Sequence, residues 1–386
     1  MFLRAAVLAG FAALLMLPGV QMLTGFLREP PQMAEERALY ELPPLSAATD
    51  PERFWQLTQN WFRDQYGLRT WLIRAKTQWD YSVFGVADKV YVGTDGWLFY
   101  KAAVDEGETR NDALTLLQVD AIADNFSRLR DWLAARNIRL IVMTNQLKTR
   151  LYPEFFPQRV RGFAERHRRF DYLESKLKSM PGITYFGTTE LLLDLKPTMQ
   201  VFHKTDLHWN DAAAFHAARA LVDKIAHLEG HSPAWKYDMK IEHSPYKYPG
   251  MESANMPMIW PWAISEDPVL IETHEKSDAI DLDVKPGPPF DSIARAKPNA
   301  TGLLPGIFVY SDSFVDAMMR AGLQNHFAWM YRTRWRNATL AQSLENIPPG
   351  TKYFVFQFIE PHMYDFAEMT LPGEGASESA SSDTAR

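Results

Sequence analysis

Helical segments alternate with short apolar runs along much of this chain. Apolar residues have helical spacing at 115–136, about 170–180 and 211 to about 228, and the apolar runs lie at 138–144, 183–186, 306–309 and 352–359. Short runs rich in β-branched and aromatic residues are typical of buried strands. Helices that alternate with such strands predict an α/β fold, in which helices cover both faces of a parallel sheet.

The composition limits the classes of function. The 386 residues are 46% hydrophobic, which is enough for a sizeable core. The formal net charge of -6 provides no broad basic surface, which argues against nucleic acid as a partner. The chain contains no cysteine, so disulfides, thiolate nucleophiles and cysteine-ligated metals are excluded. A neutral or weakly charged substrate fits this composition better.

The N-terminus indicates export. Residues 5–27 carry no charge and follow a short basic flank at Arg4. About 20 apolar residues suffice to span a bilayer, and a basic flank before an apolar stretch also begins a secretory signal. No small-x-small cleavage pattern lies near Pro18-Gly19-Val20, which favours an uncleaved anchor. Whether this segment is an uncleaved anchor or a secretory signal, we expect the rest of the chain to be exported to the far side of the membrane.

These features divide the chain into predicted regions. Residues 1–28 form the signal anchor or signal peptide, and the residues 29–50, rich in Pro and Glu, form a linker. Residues 51–372 form the main domain, and residues 373–386, which lack large apolar side chains, form a disordered tail. Within the main domain, residues from about 230 to 300 show little periodicity, which predicts an active-site lid or a substrate-groove insertion.

A serine lies at a predicted strand-to-helix turn. The stretch Ser311-Asp312-Ser313-Phe314 follows the apolar run 306–309 and precedes a helical segment. Such a turn can lift a hydroxyl out of the sheet while free backbone N–H groups point at the group that it attacks. Ser313 is therefore a candidate nucleophile. From this stretch alone, the alternative is that Asp312 or Ser313 caps the helix, since both residue types are preferred caps.

A second polar stretch can supply the base that a serine nucleophile needs. Asp206 and His208 lie two residues apart, so in an extended loop they can project to the same side. An imidazole takes the serine proton best when a carboxylate fixes its tautomer and stabilises the imidazolium. Asn210 or Asp211 then caps the following helix, which would hold the loop in place.

The same stretch allows two other interpretations. His203, Asp206, His208 and His216 could bind a divalent metal ion, since imidazole and carboxylate are ordinary zinc ligands. Their spacing lacks the His-x3-His of a helical zinc motif. Alternatively, Asp206 and His208 form only a structural hydrogen bond beside a helix cap.

Three motifs follow each other in an order that indicates one family. They are Gly93-Thr94-Asp95-Gly96-Trp97-Leu98-Phe99, Asp206-Leu207-His208-Trp209 and Ser311-Asp312-Ser313-Phe314. Together they resemble the AlgX/AlgJ family of alginate O-acetylation proteins, which have an SGNH-hydrolase-like domain. In that family the Asp-x-His-Trp pair precedes the Gly-Asp-Ser element, the reverse of the order in ordinary SGNH esterases. The resemblance therefore implies an SGNH-hydrolase-like parallel sheet flanked by helices, with a circularly permuted motif order and insertions.

The resemblance also implies an activity. Members of the family transfer acetyl groups to exopolysaccharide hydroxyls in the periplasm, and an MBOAT-type membrane protein handles the acetyl donor. Carried over to this chain, Ser313 is the nucleophile, His208 the base and Asp206 the orienting carboxylate, with no cofactor and no metal. The N-terminal segment anchors the domain to the inner membrane. No alginate-binding domain follows Glu360, so the anchored AlgJ-like form is the better match.

Two alternatives to acetyl transfer stay open. A carbohydrate acetylesterase of the same fold would use the same three residues, because water can hydrolyse the acyl-enzyme before a sugar reaches it. A non-catalytic scaffold in a polysaccharide export complex is the other, since Ser311 stands where the family has a glycine.

Five further residues are candidates for the oxyanion or substrate site. Asn145, Gln146 and Lys148 follow a predicted strand, where the family tends to have prolines before the lysine. Asn145 or Gln146 could donate to an oxyanion, and a strand-end hydrogen bond is the other use. Trp97 and Trp209 suit stacking on sugar rings, and they also suit an ordinary aromatic core.

Overall fold

The computed structural model describes residues 2–28, 38–160, 162, 168–232, 234–235, 240–243, 250–260, 264, 269–272 and 280–374. The chain divides into two units. The helical unit comprises Met1–Asp88 and Ser253–Ala263, and the sheet unit comprises Lys89–Glu252 and Ile264–Arg386.

The bounds of the described elements are as follows. The helices are α1 (Phe2–Thr24), α2 (Pro51–Gln65), α3 (Arg69–Trp79), α4 (Gly107–Ala113), α5 (Leu116–Ala134), α6 (Lys148–Leu151), α7 (Arg168–Ser179), α8 (Thr189–Leu195), α9 (Asp211–Leu228), α10 (Met251–Ala254), α11 (Val315–Arg320) and α12 (Leu340–Glu345). The strands are β1 (Val90–Val92), β2 (Leu98–Tyr100), β3 (Arg139–Asn145), β4 (Ile183–Gly187), β5 (Lys240–His243), β6 (Val269–Glu272), β7 (Ile280–Gly287), β8 (Phe290–Ala296), β9 (Ile307–Ser311), β10 (Trp329–Arg334) and β11 (Tyr353–Ile359).

The helical unit contains α1, α2 and α3. In α1, the stretch Arg4–Thr24 is long and apolar enough to cross a membrane, by length and composition. The Asp50 side chain caps α2 by accepting the Arg53 N–H, and Pro51 occupies the first turn, where its missing N–H costs no hydrogen bond. Between α2 and α3, Gly67 lies against α1, since an added Cβ would be 2.2 Å from the Pro18 carbonyl oxygen.

A seven-stranded sheet organises the sheet unit. Its strand order is β4-β3-β11-β9-β10-β8-β7. The five strands from β4 to β10 pair in parallel, so their carboxyl ends meet at one edge of the sheet. The predicted α/β fold, a parallel sheet flanked by helices, is confirmed for these strands.

The sheet has an antiparallel edge that the sequence did not predict. β8 pairs antiparallel with β10 and β7 pairs antiparallel with β8, so the sheet is mainly rather than wholly parallel. Both strands come from the stretch of about 230–300 that was expected to be irregular. Most side chains of β7 are exposed, because it is an edge strand. When both faces of an edge strand are exposed to water, its apolar and polar residues do not alternate, so the sequence of β7 does not predict a strand.

The two faces of the sheet bury alternate residues of each strand. In β3, Ile141 and Met143 point into one apolar core, which also contains residues of α9 and α11. Leu140 and Val142 point into a second core, which contains residues of α5 and α7. This arrangement explains why the strand reads as a continuous apolar run, since neither of its faces meets water.

The predicted domain bounds stay predictions. Of the linker 29–50, residues 29–37 lie outside the described residues, and so do residues 375–386 of the tail. Parts of the stretch 230–300 also lie outside the described ranges.

Gly306→Ala tests how closely β9 and β10 approach. A Cβ at Gly306 would lie 1.9 Å from the Trp329 ring, so the ring or the strand must move. We expect the free energy of unfolding to fall by about 1–3 kcal/mol, the usual cost of overpacking, as measured by urea unfolding. Gly162→Ala is the control, because no residue that the structure describes lies within 4 Å of the place its Cβ would take. Equal stability of the two variants would contradict this account of the strand contact.

Candidate active site

The turn after β9 is fixed by the Asp312 carboxylate. Its two oxygens accept the backbone N–H groups of Phe314, at 2.8 Å, and of Ile359 at the end of β11, at 2.9 Å. Burial raises the pKa of Asp312, and the Phe314 N–H opposes that rise. The turn is therefore tied to the neighbouring strand, and it presents Ser313 at the carboxyl edge of the sheet, partly exposed.

Ser311 fits this turn without the conformational freedom of a glycine. Ser311 does not have a positive φ, so its position does not require a glycine. Its buried hydroxyl accepts a hydrogen bond from Arg332 Nε at 3.0 Å. Arg332 Nη2 also donates to the Asp312 carbonyl oxygen at 2.7 Å. The residue that departs from the family pattern is thus paired with an arginine of β10, which holds the same turn.

The segment before α9 folds back on itself and carries Asp206 and His208. Phe202 and Trp209 form an antiparallel bridge, and the His203 N–H donates to the His208 carbonyl oxygen at 3.3 Å. Asn210 caps α9 by accepting the Ala213 N–H at 2.9 Å, which is one of the two caps that the sequence predicted. The start of the helix therefore holds the loop in place.

Asp206, His208 and Ser313 form one hydrogen-bonded chain. Asp206 Oδ1 lies 2.6 Å from His208 Nδ1, and it also accepts the His208 backbone N–H at 2.9 Å. His208 Nε2 lies 2.7 Å from Ser313 Oγ. Residues 105 positions apart in the sequence thus meet within hydrogen-bonding distance.

The local charges favour an ionised Asp206 and a basic His208. Burial opposes ionisation of Asp206, but its hydrogen bond to His208 and the His208 charge outweigh burial and hold the pKa of Asp206 below its usual value. Burial likewise lowers the pKa of His208, but the hydrogen bond and charge of Asp206, with further negative charge at Asp312 and Glu252, raise it above its ordinary value. When His208 is neutral and Nδ1 donates to the carboxylate, Nε2 is left to accept the Ser313 hydroxyl proton.

One backbone donor at the serine is available. Within the described part of the chain, the Ser313 N–H has no hydrogen-bond partner, whereas the N–H groups on either side of it are used. A negatively charged oxygen formed beside Ser313 Oγ could therefore accept this N–H.

Asn145 and Gln146 use their side-chain amides inside the protein. Asn145 Nδ2 donates to Thr188 Oγ1 at 3.1 Å, and its Oδ1 accepts from Gln357 Nε2 at 2.8 Å. Gln146 Nε2 donates to Glu174 at 3.0 Å. Both residues make the strand-end hydrogen bonds that were the alternative to an oxyanion role.

Lys148 lies beneath the loop that carries Asp206. Its ammonium group donates to the backbone carbonyl oxygens of Asp206, at 2.8 Å, and of His203, at 3.3 Å. It also forms an ion pair of 2.8 Å with Glu252, and both side chains are almost fully buried. Burial raises the pKa of Glu252, and the Lys148 charge opposes this rise. Glu252 gave no signal in the sequence, because it lies in a stretch without periodicity.

The structure contradicts a sugar-stacking role for Trp97 and Trp209. Trp97 is 2% exposed, and its ring stacks on Phe155 with ring centroids 5.0 Å apart. Trp209 is fully buried, and its Nε1 donates to the Phe314 carbonyl oxygen at 3.0 Å. A sugar ring cannot reach either indole. Trp209 instead connects the loop that carries His208 to the turn that carries Ser313.

The described residues contain no cluster of side chains that could bind a metal ion. No group of three or more His, Asp or Glu side chains is placed there to hold a metal ion. The Asp206 and His208 side chains bond each other, and the His208 ring also reaches Ser313.

Asp206→Asn tests the electrostatic account of the histidine. The substitution removes the nearest negative charge, so we expect the pKa of His208 to fall below that of the unmodified protein. The imidazole carbon resonance reports this pKa by NMR, and His208→Gln assigns the resonance. Asp131→Asn, at a carboxylate with 68% of its side chain exposed, is the control. An unchanged His208 pKa in Asp206→Asn would contradict the account.

Three comparisons with known proteins bear on this site. A search of curated proteins found no match. The O-acetyltransferase domain of Pseudomonas putida AlgJ is 17% identical, over 71% of this chain and 92% of that one, with a TM-score of 0.45. Bacillus cereus PatB1 with a sulfonyl adduct is 13% identical, over 72% of this chain and 98% of that one, with a TM-score of 0.51. At this identity, the PatB1 likeness concerns the fold alone.

The family comparison is more specific. Residues 90–256 match the family model described as the SGNH hydrolase-like domain of the acetyltransferase AlgX. The matched segment includes Asp206 and His208 and ends before Ser313. The resemblance predicted from the motifs is confirmed: residues 90–256 are similar to the SGNH hydrolase-like domain of the AlgX acetyltransferase family.

Proposed function

We propose that this chain transfers acetyl groups to hydroxyls of an alginate-like exopolysaccharide, with Ser313 as nucleophile, His208 as base and Asp206 as its orienting carboxylate. The observation that carries the proposal is the hydrogen-bonded chain from Asp206 through His208 to Ser313. Asp206 and His208 lie in the segment that matches an acetyltransferase family model. A serine, an imidazole and a carboxylate in this sequence of contacts are the groups that acyl transfer requires.

In the first half of the reaction the acetyl group moves to the enzyme. His208 Nε2 takes the hydroxyl proton as Ser313 Oγ attacks the acetyl carbonyl carbon of the donor. The oxyanion of the tetrahedral intermediate accepts the Ser313 N–H. His208 then gives its proton to the leaving group, the donor's bond to the acetyl carbon breaks, and Ser313 carries an acetyl ester.

In the second half the acetyl group moves to the sugar. His208, neutral again, takes the proton of a sugar hydroxyl as its oxygen attacks the ester carbonyl carbon. The bond to Ser313 Oγ breaks, and Oγ receives the proton from His208. The products are an acetylated sugar and the starting enzyme. Asp206 keeps the imidazole oriented and stabilises its charged form in both halves.

The proposed place of the reaction is the periplasm. The family match and the apolar stretch of α1 support a domain held at the inner membrane by its N-terminal segment. The acetyl donor is then supplied by an MBOAT-type membrane protein, as the resemblance implies, and the acceptor is an exopolysaccharide on the outer side of that membrane.

Covalent labelling tests the nucleophile. A sulfonyl fluoride reacts with an activated serine, so we expect it to modify the unmodified protein at Ser313, as located by peptide mass spectrometry. Ser313→Ala should take no label, whereas Ser179→Ala, at an exposed helical serine, should label as the unmodified protein does. Asp206→Asn should slow labelling by about 10²–10⁴-fold, because the base loses its orientation. A label that persists in Ser313→Ala would exclude Ser313, and an unreactive protein would favour the scaffold alternative.

A second measurement separates transfer from hydrolysis. With an activated acetyl ester as donor, a transferase should form acetylated alginate oligosaccharide and release less acetate as the oligosaccharide concentration rises. Acetate release that does not respond to the acceptor would contradict transfer and favour the acetylesterase. Ser313→Ala is the control for uncatalysed reaction in both measurements.

A further inference from the structure

The segment Gly250–Glu252 is packed directly against Asp206. The Met251 N–H donates to Asp206 Oδ2 at 2.9 Å, on the carboxylate oxygen that His208 does not use. The Glu252 N–H donates to the Thr205 carbonyl oxygen at 3.1 Å. A Cβ at Gly250 would lie 2.1 Å from that oxygen and 2.8 Å from Asp206 Cβ, so only a glycine allows this approach.

A buried ion pair also holds this segment. The Glu252 carboxylate contacts Lys148 Nζ, and this ammonium group in turn donates to the Asp206 and His203 carbonyl oxygens. Removing one partner of such a pair leaves an uncompensated buried charge, so the pair keeps the segment in place. Asp206 is thus held through its carboxylate by Met251 and through its backbone by Lys148.

We propose that Gly250–Glu252 is a positioning element that holds the Asp206 carboxylate against His208. This inference rests on the proposed function for its catalytic meaning. Its physical content is that the triad is complete only while the segment keeps its contacts with Thr205 and Asp206. The element acts through Asp206.

Gly250→Ala is the direct test. The added Cβ displaces the Thr205–Asp206 backbone, so Asp206 retreats from His208, and we expect the His208 pKa to fall. The charged groups facing His208, namely Asp206, Asp312 and Glu252, keep their charges in this variant, so the change reports geometry. Labelling of Ser313 by a sulfonyl fluoride should slow by about tenfold or more, since orientation by the carboxylate is lost.

Gly93→Ala is the matched control. Its Cβ would lie 2.3 Å from the Phe155 carbonyl oxygen, an overlap of similar size in the same unit. Both variants should lose stability, but Gly93→Ala should keep the His208 pKa and, at a temperature where it is folded, the labelling rate. Equal His208 pKa values and labelling rates in the two variants would overturn the positioning role.

A second variant keeps the positioning role testable if Gly250→Ala does not fold. Lys148→Met combined with Glu252→Leu replaces the buried pair by apolar side chains, an exchange that folds tolerate. It removes the support under Gly250–Glu252, so the labelling rate should fall relative to Gly93→Ala. The labelling rate is the measurement for this variant, because the Glu252 charge itself acts on the His208 pKa. An unchanged labelling rate would again overturn the role.

The NMR pKa tests positioning even if Ser313 takes no label, which separates failure of this inference from failure of the proposed function.

Discussion

The site depends on the contacts of the Asp206 carboxylate. It lies in a buried position, where an ionised group is costly, and it is stabilised by the His208 ring, the His208 N–H and the Met251 N–H. Because Nδ1 of the ring donates to this carboxylate, Nε2 faces Ser313, and because the carboxylate is charged, the ring is more basic than a free imidazole. The orientation and the basicity of His208 thus have the same source.

The serine turn is built from a different set of contacts. Asp312 ties it to β11, and Arg332 ties it to β10 through Ser311 and the Asp312 carbonyl oxygen. A glycine in place of Ser311 would have no side-chain oxygen for Arg332. Ser311, which stands where the family has a glycine, is therefore stabilised by its contact with Arg332. The position of Ser313 does not depend on a glycine at the turn.

Much of the fold could be predicted, since it depends on local periodicity. The predicted apolar runs at 138–144, 183–186 and 352–359 correspond to β3, β4 and β11, and the helix predicted from residue 211 to about 228 is α9. A strand buried on both faces is apolar throughout, and an amphipathic helix repeats every 3.6 residues, so each can be recognised from its own sequence. β7 could not, because an edge strand that is exposed on both faces has no such pattern.

The sequence by itself determined which residues are candidates for the site, since a serine, a histidine and an aspartate stand in motifs of recognisable order. Tertiary structure decided what surrounds them. Lys148 supports the loop rather than an oxyanion, and Trp209 is buried rather than open to a sugar, although each residue type suits both uses. The contacts of Met251 and Glu252 join residues far apart in the chain, in a stretch without periodicity. Such pairings leave no trace in local sequence, because they arise only when the folded chain brings distant segments together.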